Sequence, residues 1–239
     1  MTSSSVTQDH RVIAMDLPGH GLSDNAPEPE NAYTMRGYAE CALHILDRLE
    51  VREFVVLGWS LGGHIAIEMI PLARVYQKLK MKGMMLIGTP PSSGAEQVTL
   101  GFFKKTKSPY MNLASQELFD AQDAYNYAVE ATGLPFEEWQ QVAALRTDGR
   151  ARVIMFSAFA SGLGVDQVTV IERETEVLIS VVNGNEDPFV NLDYTDGLRW
   201  GWLQGGRCIR LEGLGHAPFW QDVDRFEPIL AKFLRAIVP

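Results

Sequence analysis

The chain has 239 residues, of which 46% are hydrophobic and 21% are charged, and this composition predicts a globular protein with a sizeable core. Its formal net charge of −9 argues against nucleic acid or an anionic membrane as the main partner. The first ten residues lack the apolar core of a signal peptide, and no run approaches the ~20 apolar residues of a membrane span, so we expect a cytoplasmic protein.

The first part of the chain alternates between predicted strands and helices. Three short apolar runs, each followed by a turn that contains glycine, predict buried strands. These runs are residues 11–15, 53–57 and 84–87. Apolar residues at helical spacing predict a helix over 33–49, with Asn31 near its start as a cap, and a second helix over 61–70.

The pattern changes in the middle of the chain. From residue 92 to residue 172, helical spacing replaces strand patterning, and this stretch is rich in aromatic residues. Strands resume at 177–182 and 207–211, and an amphipathic helix over 226–237 closes the chain.

This order of elements predicts the fold class and the domains. Strands that alternate with helices indicate an α/β fold, in which helices flank a parallel sheet. We therefore predict a core domain formed by residues 1–91 and 173–239, and a helical cap domain formed by residues 92–172.

The segment Gly58-Trp-Ser60-Leu-Gly62 predicts a nucleophilic serine. It matches G-x-S-x-G, and it follows a predicted strand and precedes a helix of small residues, which is the context in which this motif has meaning. The glycines leave room for a sharp turn that presents the Ser60 hydroxyl at the carboxyl end of the sheet.

A serine hydroxyl needs a base, and the base needs an orienting acid. His216 follows the strand at 207–211 and is the predicted base. The turn after strand 177–182 offers two carboxylates, of which Asp187 is the predicted acid and Glu186 the alternative. His64 is expected to serve in packing, and His20 to be a turn residue that could line the site.

Metal and cofactor chemistry is disfavoured. The sequence has no H-x-H or H-E-x-x-H motif and no phosphate-binding glycine loop, and the two cysteines have no metal-ligand spacing. We therefore predict no cofactor and no metal, and a small-molecule ester or lactone as the partner.

Several loops together resemble the α/β-hydrolase superfamily over nearly the whole chain. These are DLPGHGLSD at 16–24, GWSLGGH at 58–64, GTPP at 88–91, NGNEDPF at 183–189 and GHAPF at 215–219. The combination of GWSLGGHIAIEMI, TDGRAR and VVNGNEDPFVNLD more narrowly resembles the serine-dependent N-acyl-homoserine lactone hydrolases, which open the lactone of bacterial quorum signals without metal.

That resemblance implies roles for further residues. The family acid is the residue just before the proline, here Asp187, where a relative carries glutamate. A family tyrosine that touches substrate corresponds to Tyr127 in QELFDAQDAYNY, and we also assign Trp59 and Phe219 to substrate binding. The backbone N–H of Leu61 would stabilise the oxyanion.

The resemblance also predicts a gap. In the family the second oxyanion donor follows an earlier strand with an HG-type motif, and this sequence has no such motif before residues 11–15. We therefore predict that the N-terminal strands and the second donor are missing, so that activity is in doubt.

Two other functions remain open at this stage. A carbon–carbon bond hydrolase uses the same triad on a dienol ketone, and motifs alone do not separate it from an ester or lactone hydrolase. The absent oxyanion loop favours a different class, a non-catalytic ligand-binding homologue that keeps only the pocket.

Overall fold

The computed structural model describes residue 6 and residues 8–76, 78–103 and 108–237. A parallel four-stranded sheet forms its centre, with the strands in the order β1-β2-β3-β4. The strands are β1 (Glu53–Trp59), β2 (Lys80–Ile87), β3 (Leu178–Gly184) and β4 (Ile209–Leu211). The strands predicted from 53 onward are therefore all present, with bounds that differ by a few residues.

Helices occupy the connections between the strands. Before β2 lie α1 (Pro29–Ala32), α2 (Met35–Arg48) and α3 (Leu61–Val75). Between β2 and β3 lie α4 (Gly94–Val98), a π-helical turn (Thr99–Phe103), a 3-10 turn (Met111–Ser115), α5 (Ala121–Thr132), α6 (Glu138–Arg146), α7 (Gly149–Ala160) and α8 (Gln167–Arg173). After β3 follow α9 (Leu192–Gly197), a 3-10 turn (Gln204–Gly206), α10 (Pro218–Gln221) and α11 (Val223–Ile237).

Both faces of the sheet are covered. In β2 the side chains alternate, so that Met84 and Leu86 pack with α2 and α3 while Met85 and Ile87 face α11. Successive turns of α11 present one apolar stripe to the sheet, formed by Phe226, Leu230, Phe233 and Leu234. Each such buried side chain stabilises the fold by about 1.5–3 kcal/mol.

The predicted strand at 11–15 is wrong. Ile13 and Met15 are partly buried against the core and their neighbours are exposed, which is the alternation of an extended chain. No strand lies beside this segment in the described part of the chain, and β1 hydrogen-bonds only to β2 there. Since a strand is defined by its ladder of hydrogen bonds, the apolar pattern alone did not produce one.

The predicted cap at Asn31 is also wrong. Helix α2 begins after Thr34, whose hydroxyl oxygen accepts a hydrogen bond from the backbone N–H of Gly37 at 2.9 Å. Asn31 instead lies in α1, and its side-chain NH₂ donates to the Glu28 carboxylate at 3.1 Å.

The helices between β2 and β3 pack onto the carboxyl end of the sheet. A third apolar cluster joins them to the rest of the fold, with Phe102 and Phe159 on one side and Phe189 and Leu192 on the other. The division of the chain into a core domain and a cap domain stays a prediction. None of the described helices is both long enough and apolar enough to span a membrane.

Candidate active site

Four polar loops meet at the carboxyl edge of the parallel sheet. Ser60 follows β1, Gly88 follows β2, Asp187 follows β3 and His216 lies in the loop after β4. Carboxyl ends of parallel strands lie at the same edge of a sheet, which is where open α/β sheets place their ligand sites.

Ser60 lies on a strained turn between β1 and α3. Its φ of 52° and ψ of −120° are unfavourable for any residue with a Cβ atom. The surrounding backbone holds this conformation: the Ser60 N–H donates to the Ile87 carbonyl at 2.8 Å, and the Thr89 hydroxyl donates to the Ser60 carbonyl at 2.9 Å. The turn places Ser60 at the N-terminus of α3.

Close packing explains the glycines around this turn. A Cβ on Gly58 would lie 2.6 Å from the Gly62 carbonyl oxygen and from the Gly63 Cα, and one on Gly63 would overlap the Thr89 side chain. A Cβ on Gly62, by contrast, would meet open space. Of the two glycines in the G-x-S-x-G motif, only Gly58 is therefore required by packing.

This difference predicts opposite effects of one substitution at two positions. Gly58→Ala is expected to lower the free energy of unfolding by about 1–3 kcal/mol, because strand and helix must move apart. Gly62→Ala, in the first turn of α3, is expected to leave it unchanged or raise it by up to ~1 kcal/mol. Urea unfolding of the two variants measures both values, and equal losses would contradict the packing argument.

His216 is bonded to a buried carboxylate. Its Nδ1 lies 2.7 Å from Asp187 Oδ2, and both side chains are almost fully buried. The other carboxylate oxygen, Asp187 Oδ1, accepts from the backbone N–H groups of Phe189 at 2.9 Å and Val190 at 3.1 Å. These donors hold Asp187 so that it accepts the Nδ1 proton of the imidazole, which leaves a lone pair on Nε2.

Glu186 does not share this position. Its side chain is exposed and makes no hydrogen bond to His216. Its backbone N–H donates to the Leu214 carbonyl at 2.9 Å, and it is Asp187 that bonds the imidazole.

Hydrogen bonds of Asn185 join the loops that carry Asp187 and His216. The Asn185 N–H donates to the Leu211 carbonyl at 2.9 Å, and the Asn185 side-chain oxygen accepts from the Gly213 N–H at 2.6 Å. Gly88 gives the imidazole its space, because a Cβ there would lie 2.6 Å from the ring of His216.

A cavity of about 310 Å³ opens at this edge of the sheet, between the strand loops and the helices that follow β2. Its wall is mostly apolar, and its volume is within the range of small-molecule sites. The polar or titratable side chains on the wall are His20, Tyr38, Ser60, His64, Tyr127, Thr147, Arg152 and His216.

Ser60 and His216 both line this cavity, but no hydrogen bond joins the serine hydroxyl to the imidazole in this structure. Such contacts are commonly long in the absence of substrate and tighten in the complex. Trp59 lies between the two loops, since its indole N–H donates to the His216 carbonyl at 2.8 Å.

The three residues that the sequence assigned to substrate binding fall into two groups. Tyr127 and Trp59 line the cavity, and Tyr127 packs edge-on against Phe119. Phe219 lies outside the cavity wall and packs behind Trp59, at 5.4 Å between ring centroids. Phe219 therefore supports Trp59, and its assignment to substrate binding stays a prediction.

His64 is a packing residue, as predicted, although it also touches the cavity. Its Nδ1 lies 2.7 Å from Gln167 Oε1, and its ring packs against Phe102 and Phe159. Burial lowers the pKa of His64 to about 4, so the imidazole is neutral at pH 7.

A model of the "alpha/beta hydrolase fold" family matches residues 3–223. The chain belongs to the alpha/beta hydrolase family. The matched segment contains all four loops of the site, so the predicted superfamily and its parallel sheet flanked by helices are confirmed.

Solved structures of this hydrolase family include one with considerable sequence identity. N-acyl homoserine lactonase AidH is 41% identical, superposes with a TM-score of 0.86, and the match covers 93% of this chain and 78% of that one. It was solved in complex with N-butanoyl homoserine and, as a mutant, with N-hexanoyl homoserine lactone.

Two less similar proteins are named as other kinds of hydrolase. A 2-hydroxy-6-oxononadienedioate/2-hydroxy-6-oxononatrienedioate hydrolase from Pseudomonas sp is 24% identical, over 96% of this chain and 78% of its own length. The esterase RhEst1 from Rhodococcus sp. is 21% identical with a TM-score of 0.74, covering 98% of this chain and 85% of that one, and it shows the fold alone.

Sequence reasoning missed three residues of this hydrolase's site. Arg152 of the TDGRAR motif lines the cavity, with its guanidinium 3.8 Å above the Phe119 ring. Asn183 accepts from the Gly88 N–H at 2.8 Å, and Gln221 accepts from the Gly215 N–H at 2.6 Å, so both fix loops of the site. Asn183 could have been found from the sequence, because it is a polar residue at the end of an apolar strand.

The described residues contain no group of three His, Cys, Asp or Glu side chains that could hold a metal ion. The close contact between titratable groups at the site is the one between the His216 imidazole and the Asp187 carboxylate, at 2.7 Å.

Proposed function

We propose that this chain is a serine hydrolase that opens the lactone ring of N-acyl-homoserine lactones, with Ser60 as nucleophile, His216 as base and Asp187 as acid. One observation carries the proposal: a buried imidazole, bonded to a buried carboxylate at 2.7 Å, shares a cavity with a serine on a strained strand-to-helix turn. The 41% identity to a lactonase supports the choice of substrate.

In the first step, the Ser60 hydroxyl attacks the lactone carbonyl while His216 Nε2 takes its proton. The tetrahedral intermediate collapses, the ring C–O bond breaks, and the released ring oxygen receives that proton. The product is an ester of Ser60 whose acyl part is the opened N-acyl-homoserine. In the second step, His216 activates a water molecule, which hydrolyses this ester and regenerates Ser60.

Charge on the carbonyl oxygen needs a donor during both steps. Leu61 is the first residue of α3, so its backbone N–H has no intrahelical partner and is available to the oxyanion. Asp187 stabilises the imidazolium that forms as His216 takes the proton. The apolar wall of the cavity, including Trp59 and Tyr127, receives the acyl chain.

A carbon–carbon bond hydrolase is the second candidate. The Pseudomonas relative is named a 2-hydroxy-6-oxononadienedioate/2-hydroxy-6-oxononatrienedioate hydrolase, and the match to it covers 96% of this chain. The cavity favours the lactone, because a dianionic ring-cleavage substrate has two carboxylates that need charged partners, whereas Arg152 is the one Lys or Arg side chain among the described residues of the wall.

A substrate panel tests the proposal. We expect the purified chain to hydrolyse N-hexanoyl-homoserine lactone with a kcat/KM at least about 100-fold above that for a dienol-ketone ring-cleavage substrate, as followed by proton release and by loss of dienol absorbance. The opposite order would make the chain a carbon–carbon bond hydrolase. Failure of a fluorophosphonate to label the folded chain, together with no turnover, would identify a ligand-binding homologue.

A further inference from the structure

His20 lies on a rigid loop between the extended segment 11–15 and helix α1. The carboxylate of Asp16 accepts from the Leu22 N–H at 2.9 Å, and the His20 N–H donates to the Leu17 carbonyl at 2.9 Å. The segment between β2 and β3 also holds this loop, because the Asp148 N–H donates to the Gly19 carbonyl at 2.8 Å. The position of the His20 ring is therefore fixed by backbone contacts.

The orientation of the ring is fixed as well. His20 Nδ1 lies 3.1 Å from the Pro18 carbonyl oxygen, which can only accept, so Nδ1 carries the proton. The Tyr38 ring packs edge-on at 5.9 Å between centroids and limits rotation. Nε2 is left as a lone-pair acceptor, and no described residue hydrogen-bonds to it.

The imidazole is neutral at pH 7. Burial is the largest effect, and it lowers the pKa of His20. The positive charges of Arg152 and Arg146 lower this pKa further, whereas the hydrogen bond to the Pro18 carbonyl raises it. Protonation, which would turn Nε2 into a donor, is thus disfavoured in this position.

Apart from His216, which the proposed mechanism uses as the base, His20 is the titratable residue on the described cavity wall that offers an accessible acceptor and no free donor. Arg152 can only donate, and a tyrosine hydroxyl can both donate and accept. His64 also has a free Nε2, but that atom is fully buried between rings and out of reach of a ligand. His20 is only half-buried and lines the cavity, so its acceptor is accessible.

We propose that His20 is a specificity-determining residue, whose Nε2 accepts a hydrogen bond from the amide N–H of the N-acyl substituent. This inference rests on the proposed lactonase function and adds what the site recognises besides the ring. A site built around an acceptor discriminates against an analogue that lacks the donor, because the acceptor then stays unpaired in an apolar wall.

Two substrates that differ only in the donor test the assignment. One is N-hexanoyl-homoserine lactone, and the other is α-(2-oxoheptyl)-γ-butyrolactone, in which a CH₂ group replaces the N–H and the chain length and carbonyl are kept. We expect the unaltered chain to prefer the amide by about 5- to 10-fold in kcat/KM. In His20→Phe this preference is expected to fall to about one.

Two further variants separate hydrogen bonding from shape. His20→Gln offers a carbonyl oxygen near the position of Nε2 and is expected to restore most of the preference. His44→Phe, the same change at an exposed histidine of α2, is expected to keep all of it. A preference that survives in His20→Phe, or is absent from the unaltered chain, overturns the role of His20. If neither lactone is hydrolysed while p-nitrophenyl hexanoate is, the lactonase proposal fails and this inference fails with it.

Discussion

Ser60→Ala is expected to lower kcat for N-hexanoyl-homoserine lactone by roughly 10⁶-fold, the scale found when a triad nucleophile is removed. Without the hydroxyl, no acyl-enzyme forms, and the imidazole of His216 has nothing to deprotonate but water. Lactone opening followed with a pH indicator measures the loss, and mass spectrometry after fluorophosphonate treatment is expected to find no adduct.

The fold is expected to survive this change, because alanine has the same Cβ as serine at the φ of 52°. Ser60→Gly is expected to be equally inactive but more stable, by about 1–2 kcal/mol, since glycine adopts this conformation without strain. Ser161→Ala, at the exposed end of α7, is the matched control and is expected to retain full activity. Hydrolysis that persists in Ser60→Ala would remove the serine from the mechanism.

Asp187→Asn is expected to lower kcat by about 10⁴-fold, as found for the same change in serine protease triads. The asparagine oxygen can still accept from the backbone N–H groups of Phe189 and Val190, so the fold changes little. Its NH₂ group then faces His216 Nδ1, which must become an acceptor. The imidazole proton moves to Nε2, and the base is lost.

Glu186→Gln is the matched control, one residue away and with the same loss of charge. Because the Glu186 side chain is exposed and apart from the imidazole, we expect kcat to change less than ~2-fold. Steady-state kinetics of both variants at pH 7 and pH 9 decide between the carboxylates. A large loss in Glu186→Gln with little loss in Asp187→Asn would reverse the assignment.

The arrangement of the site's main residues was predictable from the sequence because each depends on a local pattern. The turn at Ser60 is dictated by glycine before it and small residues after it, next to an apolar strand. Chain order and parallel topology then place loops 183–189 and 212–219 at the same edge of the sheet. The bond between Asp187 and His216 follows from those placements.

Elements that depend on a neighbour were not predictable. Residues 11–15 have the alternation of a strand, yet a strand requires a partner, and no local signal reports whether one is adjacent. The cap of α2 was assigned three residues early, since asparagine and threonine are both good N-caps and only backbone geometry selects Thr34.

The wall of the cavity was the least predictable part. Phe219 and Trp59 are both aromatic and both lie near site residues in sequence, but only the packing of α10 shows that Phe219 stands behind Trp59. His20 and Arg152 reach the wall through contacts between distant segments of chain, which no spacing rule contains.

The hydrogen bonds between the β3 and β4 loops make the carboxylate and the imidazole move as one rigid unit. Ser60 is joined to the same unit, because its backbone is held by Ile87 and Thr89 at the end of β2, and the neighbouring Gly88 N–H donates to Asn183 of β3. The Trp59 indole N–H, which donates to the His216 carbonyl, is a second link between the loops. The carboxyl edge of the sheet therefore sets the positions of Ser60, Asp187 and His216 together, through hydrogen bonds that cross from one loop to the next.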